Sequence, residues 1–174
     1  METNTLKNQF VELYNKESDA IFRFCLLRVS DRDVAIDLTQ DVFMRYWDYI
    51  LKNKEVNSGR ALLFTIARNS IIDWYRKKKN ISLEMLTETD ENDFTREGIF
   101  LRDNSSNKIE IQAEVKIFIQ KIEEIDVKYR EEVYLRFVED LTPKEISEIV
   151  QKSVNVVSVH INRGLNQLRD KLNI

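Results

Sequence analysis

Four consecutive cations, Arg76, Lys77, Lys78 and Lys79, close a stretch from Arg60 to Asn80 that is otherwise apolar along one side. Guanidinium and ammonium groups at that density attract phosphate oxygens, and a nucleic-acid strand presents them in series. A second group lies near the C-terminus: Asn155, Val156, Ser158, Val159, His160, Asn162 and Arg163. An amide side chain can pair with two atoms of an adenine edge, and a valine can rest on a thymine methyl. A third group mixes charge: Asp37, Gln40, Asp41 and Arg45, with Met44, Trp47 and Asp48 around them. It reads as a solvated helix face or, more sharply, as an acidic docking surface, because Met and aromatic residues favour interface cores. Catalysis has no comparable footing. No Gly-rich phosphate loop, metal-ligand cluster or nucleophile–base pairing is readable, so an enzyme is the least favoured class. Cys25 is the only cysteine and stands in the apolar run Phe24-Cys25-Leu26-Leu27, which predicts a buried structural thiol and no intrachain disulfide. His160 is the only histidine, and its expected place is against a phosphate or in solvent.

The net charge of −3 looks wrong for a nucleic-acid binder until it is divided along the chain. Residues 60–80 carry 6 basic and 1 acidic side chains, whereas residues 81–107 carry 2 and 7. Screening confines charge effects to about 10 Å at 0.1 M salt, so the local cluster governs phosphate attraction.

The elements that hold these groups are helices. Three Gly and one Pro in 174 residues leave few breakers, and no stretch alternates cleanly enough for a sheet. Apolar spacing predicts a helix over 6–29, then another over 31–51 with Ser30 as its N-cap. The core arc of the second is Ala35, Leu38, Val42, Phe43, Tyr46, Tyr49 and Ile50. After the loop Lys52–Gly59 the basic stretch forms a third helix. Leu63, Ala67, Ser70, Ile71 and Trp74 face its core, and Thr65, Arg68, Asn69, Ile72, Arg76 and Lys79 face outward. Residues 81–107 lose the period, turn acidic and read as a tether. Helical spacing resumes over 108–125. Asp126 can cap the next helix, and Asp140 suits a left-handed turn. Thr142-Pro143-Lys144-Glu145 is a strong start signal, with Thr142 as N-cap, Pro143 at the first position and Glu145 closing a capping box. A short helix to Val150, a turn at Gln151-Lys152, and a Ser153-capped helix to Leu172 complete a helix-turn-helix. In that motif the second helix enters the major groove. The expected class is all-α: bundles over 1–80 and 108–174 joined by the acidic linker 81–107. No apolar run is long enough to span a bilayer, and a cytoplasmic chain is expected.

Three segments resemble one family in order and spacing. They are Asp37-Leu38-Thr39-Gln40-Asp41-Val42-Phe43-Met44-Arg45-Tyr46-Trp47; Phe64-Thr65-Ile66-Ala67-Arg68-Asn69 with Ile72-Asp73-Trp74-Tyr75-Arg76-Lys77-Lys78-Lys79; and Tyr134 to Leu141 with Thr142 to Ile146. The chain resembles the extracytoplasmic-function (ECF) sigma factors, the small promoter-recognition subunits of bacterial RNA polymerase, over nearly all its length except 81–107. The resemblance implies that Asp37, Gln40, Asp41 and Arg45 dock on the polymerase clamp. It implies that Asn57, Ser58, Arg60, Arg68, Asn69, Arg76, Lys77, Lys78 and Lys79 engage the minus-ten strand, with the loop Lys52–Gly59 receiving a flipped base. Thr142, Lys144, Asn155, Val156, Ser158, Val159, His160, Asn162 and Arg163 would serve the minus-thirty-five duplex. The implied partners are core polymerase, promoter DNA and an anti-sigma protein, with no cofactor and no catalytic residue. Where the family has Gly in the motif's turn, this chain has Gln151 and Lys152, and Gly164 stands where Ala is usual, at a helix-propensity cost of about 1 kcal/mol. Two other readings stay open on the residues themselves: an adaptor that binds polymerase without reading promoters, and a repressor unrelated to polymerase.

Overall fold

The computed structural model describes residues 2–52, 55–83 and 113–172, with side chains described at 4–52, 55–80 and 115–171. Seven helices and no strand occur among them: α1 (Glu2–Val29), α2 (Arg32–Leu51), α3 (Gly59–Leu83), α4 (Ala113–Ile122), α5 (Val127–Phe137), α6 (Pro143–Val150) and α7 (Val154–Leu172). The all-α expectation holds. The expected tether over 81–107 lies outside the described residues from 84 onward; its first three residues extend α3.

The joint between α1 and α2 differs from expectation. Ser30 does not cap α2; it closes α1. Its backbone is left-handed at φ 55°, and its N–H donates to the Leu26 carbonyl at 2.9 Å. The next residue, Asp31, is extended and takes the cap, accepting from the Asp33 and Val34 N–H groups at 3.0 and 3.1 Å. One residue cannot end one helix in a left-handed turn and begin the next in an extended one, and Asp caps as well as Ser.

α1, α2 and α3 bury Ile21, Phe24, Val42, Phe43, Leu63, Phe64, Ala67 and Ile71 against one another. Cys25 is fully buried here, and burial pushes its thiol up to about 12, as a structural thiol should be. Trp47, expected to be exposed, is half-buried with its edge against Phe10 at 5.1 Å.

In α4–α7 the start signals act as read. Asp126 caps α5, Asp140 is left-handed at φ 52°, and Thr142 with Glu145 forms the full capping box. Ser153 caps α7, its Oγ accepting from the Val156 N–H at 3.3 Å. Gln151 supplies the left-handed residue of the turn at φ 55°. Gly164 proves to be a packing requirement. A Cβ there would stand 2.5 Å from Val133 Cγ2 and 3.1 Å from Tyr129 Cβ, so its absence lets α7 lie close on α5.

The two bundles do not keep separate cores. Phe24 of α1 meets Tyr134 of α5 with ring centroids 6.1 Å apart, α3 packs on α6, and the buried apolar residues of both halves form one cluster.

Candidate nucleic-acid and polymerase interfaces

On α2, Asp37 and Gln40 are exposed and Asp41 is half-buried. Arg45 lies one turn on and pairs with Asp41 at 2.7 Å, and Ser70 reaches the same carboxylate oxygen at 3.5 Å. Met44 beside them is 68% exposed. The α2 core arc turns inward as expected, so these polar groups form one continuous outward face.

At the far end of α3, Arg76, Lys77 and Lys78 are exposed and Lys79 is half-buried. Lys78 Nζ sits 4.9 Å from the Trp74 ring centre, and Arg76 reaches Asp73 at 3.8 Å. Such surface contacts contribute little and leave the cations available. The start of the helix is different. Arg60 and Arg68 are both occupied. Arg60 Nε contacts Glu17 at 2.8 Å, with its Nη2 3.6 Å from Glu139. Arg68 donates to both oxygens of Glu131, at 3.0 and 3.3 Å. Ser58 caps α3 through its Oγ and donates its hydroxyl to Glu145 at 2.8 Å. Asn57 and Asn69 are exposed.

Glu131, Glu139 and Glu145 all belong to the C-terminal half, and pattern reading singled out none of them as a partner of the basic helix. Glu139 is buried and also accepts from Arg23 at 2.9 Å and from the Tyr134 hydroxyl at 2.6 Å. Burial pushes the Glu131 carboxyl up, but the Arg68 and Arg28 guanidiniums outweigh it and hold it below the usual range. Burial likewise opposes ionisation of Glu145, and hydrogen bonds from Thr142 and Ser58 hold it low. Arg28, with no exposed surface, stacks on the Phe24 ring at 3.4 Å and lies 4.0 Å from Glu131; burial lowers its pKa. The junction has no local sequence signal: Glu131 of α5, Glu139 just past it and Glu145 of α6 meet partners 63 to 116 positions away.

Between α1, α2 and the loop before α3 lies a cavity of about 600 Å³, lined by Leu13, Tyr46, Ile50, Glu55, Val56 and Gly59 among others. A Cβ on Gly59 would stand 2.9 Å from the Tyr46 hydroxyl and 3.1 Å from Leu13 Cδ2, so a larger residue would press on the ends of those two side chains.

The outer face of α7 presents Asn155, Val156, Val159, Asn162 and Arg163, all exposed, with Ser158 half-buried. Lys144 on α6 is exposed. Thr142 is also exposed, but its hydroxyl is engaged with Glu145 at 2.9 Å. His160 departs from expectation. It is turned inward, with Nδ1 3.0 Å from Glu132 Oε1 and its ring edge-on to Tyr129 at 5.2 Å. Lys152 Nζ meets the same Glu132 oxygen at 2.6 Å. No group of three or more potential metal ligands occurs among the described residues, and no helix there is long and apolar enough to cross a membrane.

Residues 13–81 match the family described as Sigma-70 region 2, and residues 116–168 match Sigma-70, region 4. The chain is 35% identical over 68 residues to the ECF RNA polymerase sigma factor SigM of Bacillus subtilis, covering 39% of this chain and 41% of that protein. It is 28% identical over 81 residues to SigX of the same organism, covering 47% and 42%. The matched stretches thus span about two fifths of these relatives. The fold resembles that of the sigma factor RpoE, solved in complex with the anti-sigma factor NepR from Bartonella quintana. The TM-score is 0.65 at 21% identity, over 95% of this chain and 98% of that one.

Proposed function

Because the chain belongs to the sigma-70 family, as an ECF-type sigma factor, we propose that it directs a bacterial RNA polymerase core to a set of promoters and helps open them. The observation that carries this reading is that one bundle presents two charged faces. A mixed, largely acidic face lies on α2, and a run of cations ends α3. Asp37, Gln40, Asp41 and Arg45 are the docking residues for polymerase. Arg76, Lys77, Lys78 and Lys79 hold the backbone of the minus-ten strand, with Asn57 and Asn69 beside it. The cavity at Tyr46, Val56 and Gly59 has room for a flipped base, whose unstacking costs a few kcal/mol that pocket and phosphate contacts offset. α6 and α7 read the minus-thirty-five duplex. The protein's part is positional: polymerase makes the bonds, and this chain supplies register and strand separation. Such a chain works in the cytoplasm beside its polymerase.

Ser58 and Arg68 join the strand-holding set only after the bundles part, because Glu145 and Glu131 occupy them; Arg60 keeps Glu17 of α1, within its own bundle, in either state. Core polymerase, by taking the two bundles at separate sites, is the partner that parts them. An anti-sigma protein that favours the joined form would keep the chain idle.

The test is run-off transcription with purified core polymerase on a pooled library of random promoters, read by sequencing the transcripts. A shared pair of upstream elements at fixed spacing is the expected result. Core binding with no enriched start site favours the adaptor reading, to which the tie of Lys152 and His160 to Glu132 would be suited. Absence of core binding overturns both.

A further inference from the structure

The exposed face of α7 is unusual in what it lacks. Through its first two turns it offers no cation to a duplex. Lys152 and His160, the only basic side chains between Lys144 and Arg163, both converge on one oxygen of Glu132, whose side chain is 1% exposed. The hydrogen bond each makes to Glu132 points into the bundle, while the Lys152 side chain stays 38% exposed and that of His160 20%. Beyond the exposed Val154 that starts the helix, what remains outward is two amides and two aliphatic groups: Asn155, Val156, Val159 and Asn162, with Val156 41% and Val159 43% exposed. At about 100° per residue these four, with Arg163, fall on the half of the helix opposite the buried Val157, Ile161, Gly164 and Leu168. Valine is a poor choice for an exposed helix surface on propensity alone, since its branched Cβ loses rotamer freedom there. Neither valine serves the core.

In a helix-turn-helix the N-terminal residues of the second helix meet base edges, and guanine is most often read by Arg or Lys forking onto O6 and N7. The first arginine here, Arg163, comes only in the third turn, where a phosphate contact suits it. We infer that α7 reads A·T pairs, with Val156 and Val159 seated on thymine C5-methyl groups and Asn155 and Asn162 on adenine edges. This rests on the promoter reading above and specifies its upstream element: the discriminating contacts are methyl contacts, and guanine forks are absent from the first two turns.

The experiment uses holoenzyme assembled from the full chain and core polymerase. A promoter selected from the random library is rebuilt with deoxyuridine for thymidine in the upstream element alone, which removes methyl groups and preserves pairing. Initiation is expected to fall roughly threefold to fivefold for each methyl in contact, from the transfer free energy of one buried carbon. The double variant Val156→Ala/Val159→Ala should initiate more weakly on the thymidine template and no longer distinguish the two templates. Ala is the better helix former and neither valine is buried, so the variant keeps its fold, checked by circular dichroism. Equal initiation by the unaltered chain on both templates overturns the inference. So does a double variant that retains the full discrimination. A library that yields no enriched start site removes the promoter reading itself, and the inference with it.

Discussion

Arg68 of α3 and Glu131 of α5, 63 positions apart in sequence, share two hydrogen bonds of 3.0 and 3.3 Å across the junction of the two bundles. Arg28 lies behind them, fully buried, with Glu131 as an ionic neighbour at 4.0 Å. Replacing Glu131 with Gln should therefore leave a buried guanidinium short of its counter-charge. Loss of one partner of a buried pair costs about 3 kcal/mol. Urea unfolding of the purified variant measures it. A midpoint equal to that of the unaltered chain would mean the pair does not hold the junction.

The junction should also be acid-labile. Glu131 and Glu145 both have folded pKa values below the carboxyl value of 4.5. Groups shifted down stabilise the folded chain above their unfolded pKa, and that contribution is lost as pH falls through the folded value. The melting temperature is expected to hold above pH 5 and to drop below about 4.5. Glu131→Gln should flatten that drop. An acid limb unchanged in the variant would assign the effect to other carboxylates.

Asp37→Arg with Asp41→Arg reverses the charge of the α2 face. Asp41 contributes a surface pair with Arg45, worth about 0.3–0.5 kcal/mol, and one long contact from Ser70 at 3.5 Å, so the fold should tolerate the change. Affinity for core polymerase should fall tenfold or more, equivalent to about 1.4 kcal/mol. Fluorescence anisotropy with labelled chain reads it directly.

Removing Lys77 and Lys78 tests the strand-holding role through salt. Each phosphate contact on a single strand contributes about −0.7 to the slope of log K against log salt, so the double Ala variant should lose roughly 1.4 from that slope. The comparison is made on a fork-junction template with holoenzyme, and an unchanged slope would place the strand elsewhere.

Gly164→Ala sets helix propensity against space. Ala gains about 1 kcal/mol in a helix interior. The clash with Val133 Cγ2 at 2.5 Å should outweigh it, because overpacking costs about 1–3 kcal/mol. The variant should melt lower than the parent, and a second change, Val133→Ala, should recover part of the loss that Gly164→Ala alone incurs.

Local chemistry made much of the fold legible. Thr142, Pro143 and Glu145 specify the start of α6 within four residues, and every partner in that signal is a neighbour in sequence. The stripe Val157, Ile161 and Leu168 of α7 is equally local. The misread positions share a different cause. Ser30 and Asp31 are both good caps, and only the chain's reversal decides between them. Arg68 falls on the outward arc of α3, and helical period records that a side chain leaves its own bundle. It does not record that an acid 63 positions away will meet it. His160 was misplaced for the same reason, its partner Glu132 lying on another helix. The docking and reading faces were legible as residue sets because exposed polar arcs follow directly from the core arcs opposite them.

Cys25 gives the molecule a built-in clock. It is the only thiol in the chain, it has no exposed surface, and its pKa stands near 12. Thr39 of α2 is its hydrogen-bonding neighbour, so it faces the interior of the first bundle. Arg28, the charged group beside it, also faces Glu131 at the junction, and Cys25 belongs to the one apolar cluster that both halves share. A thiol-exchange reagent will then react only as that shared core opens. Replacing Glu131 with Gln should raise the rate, so that single sulfur gauges how tightly the two halves hold each other closed.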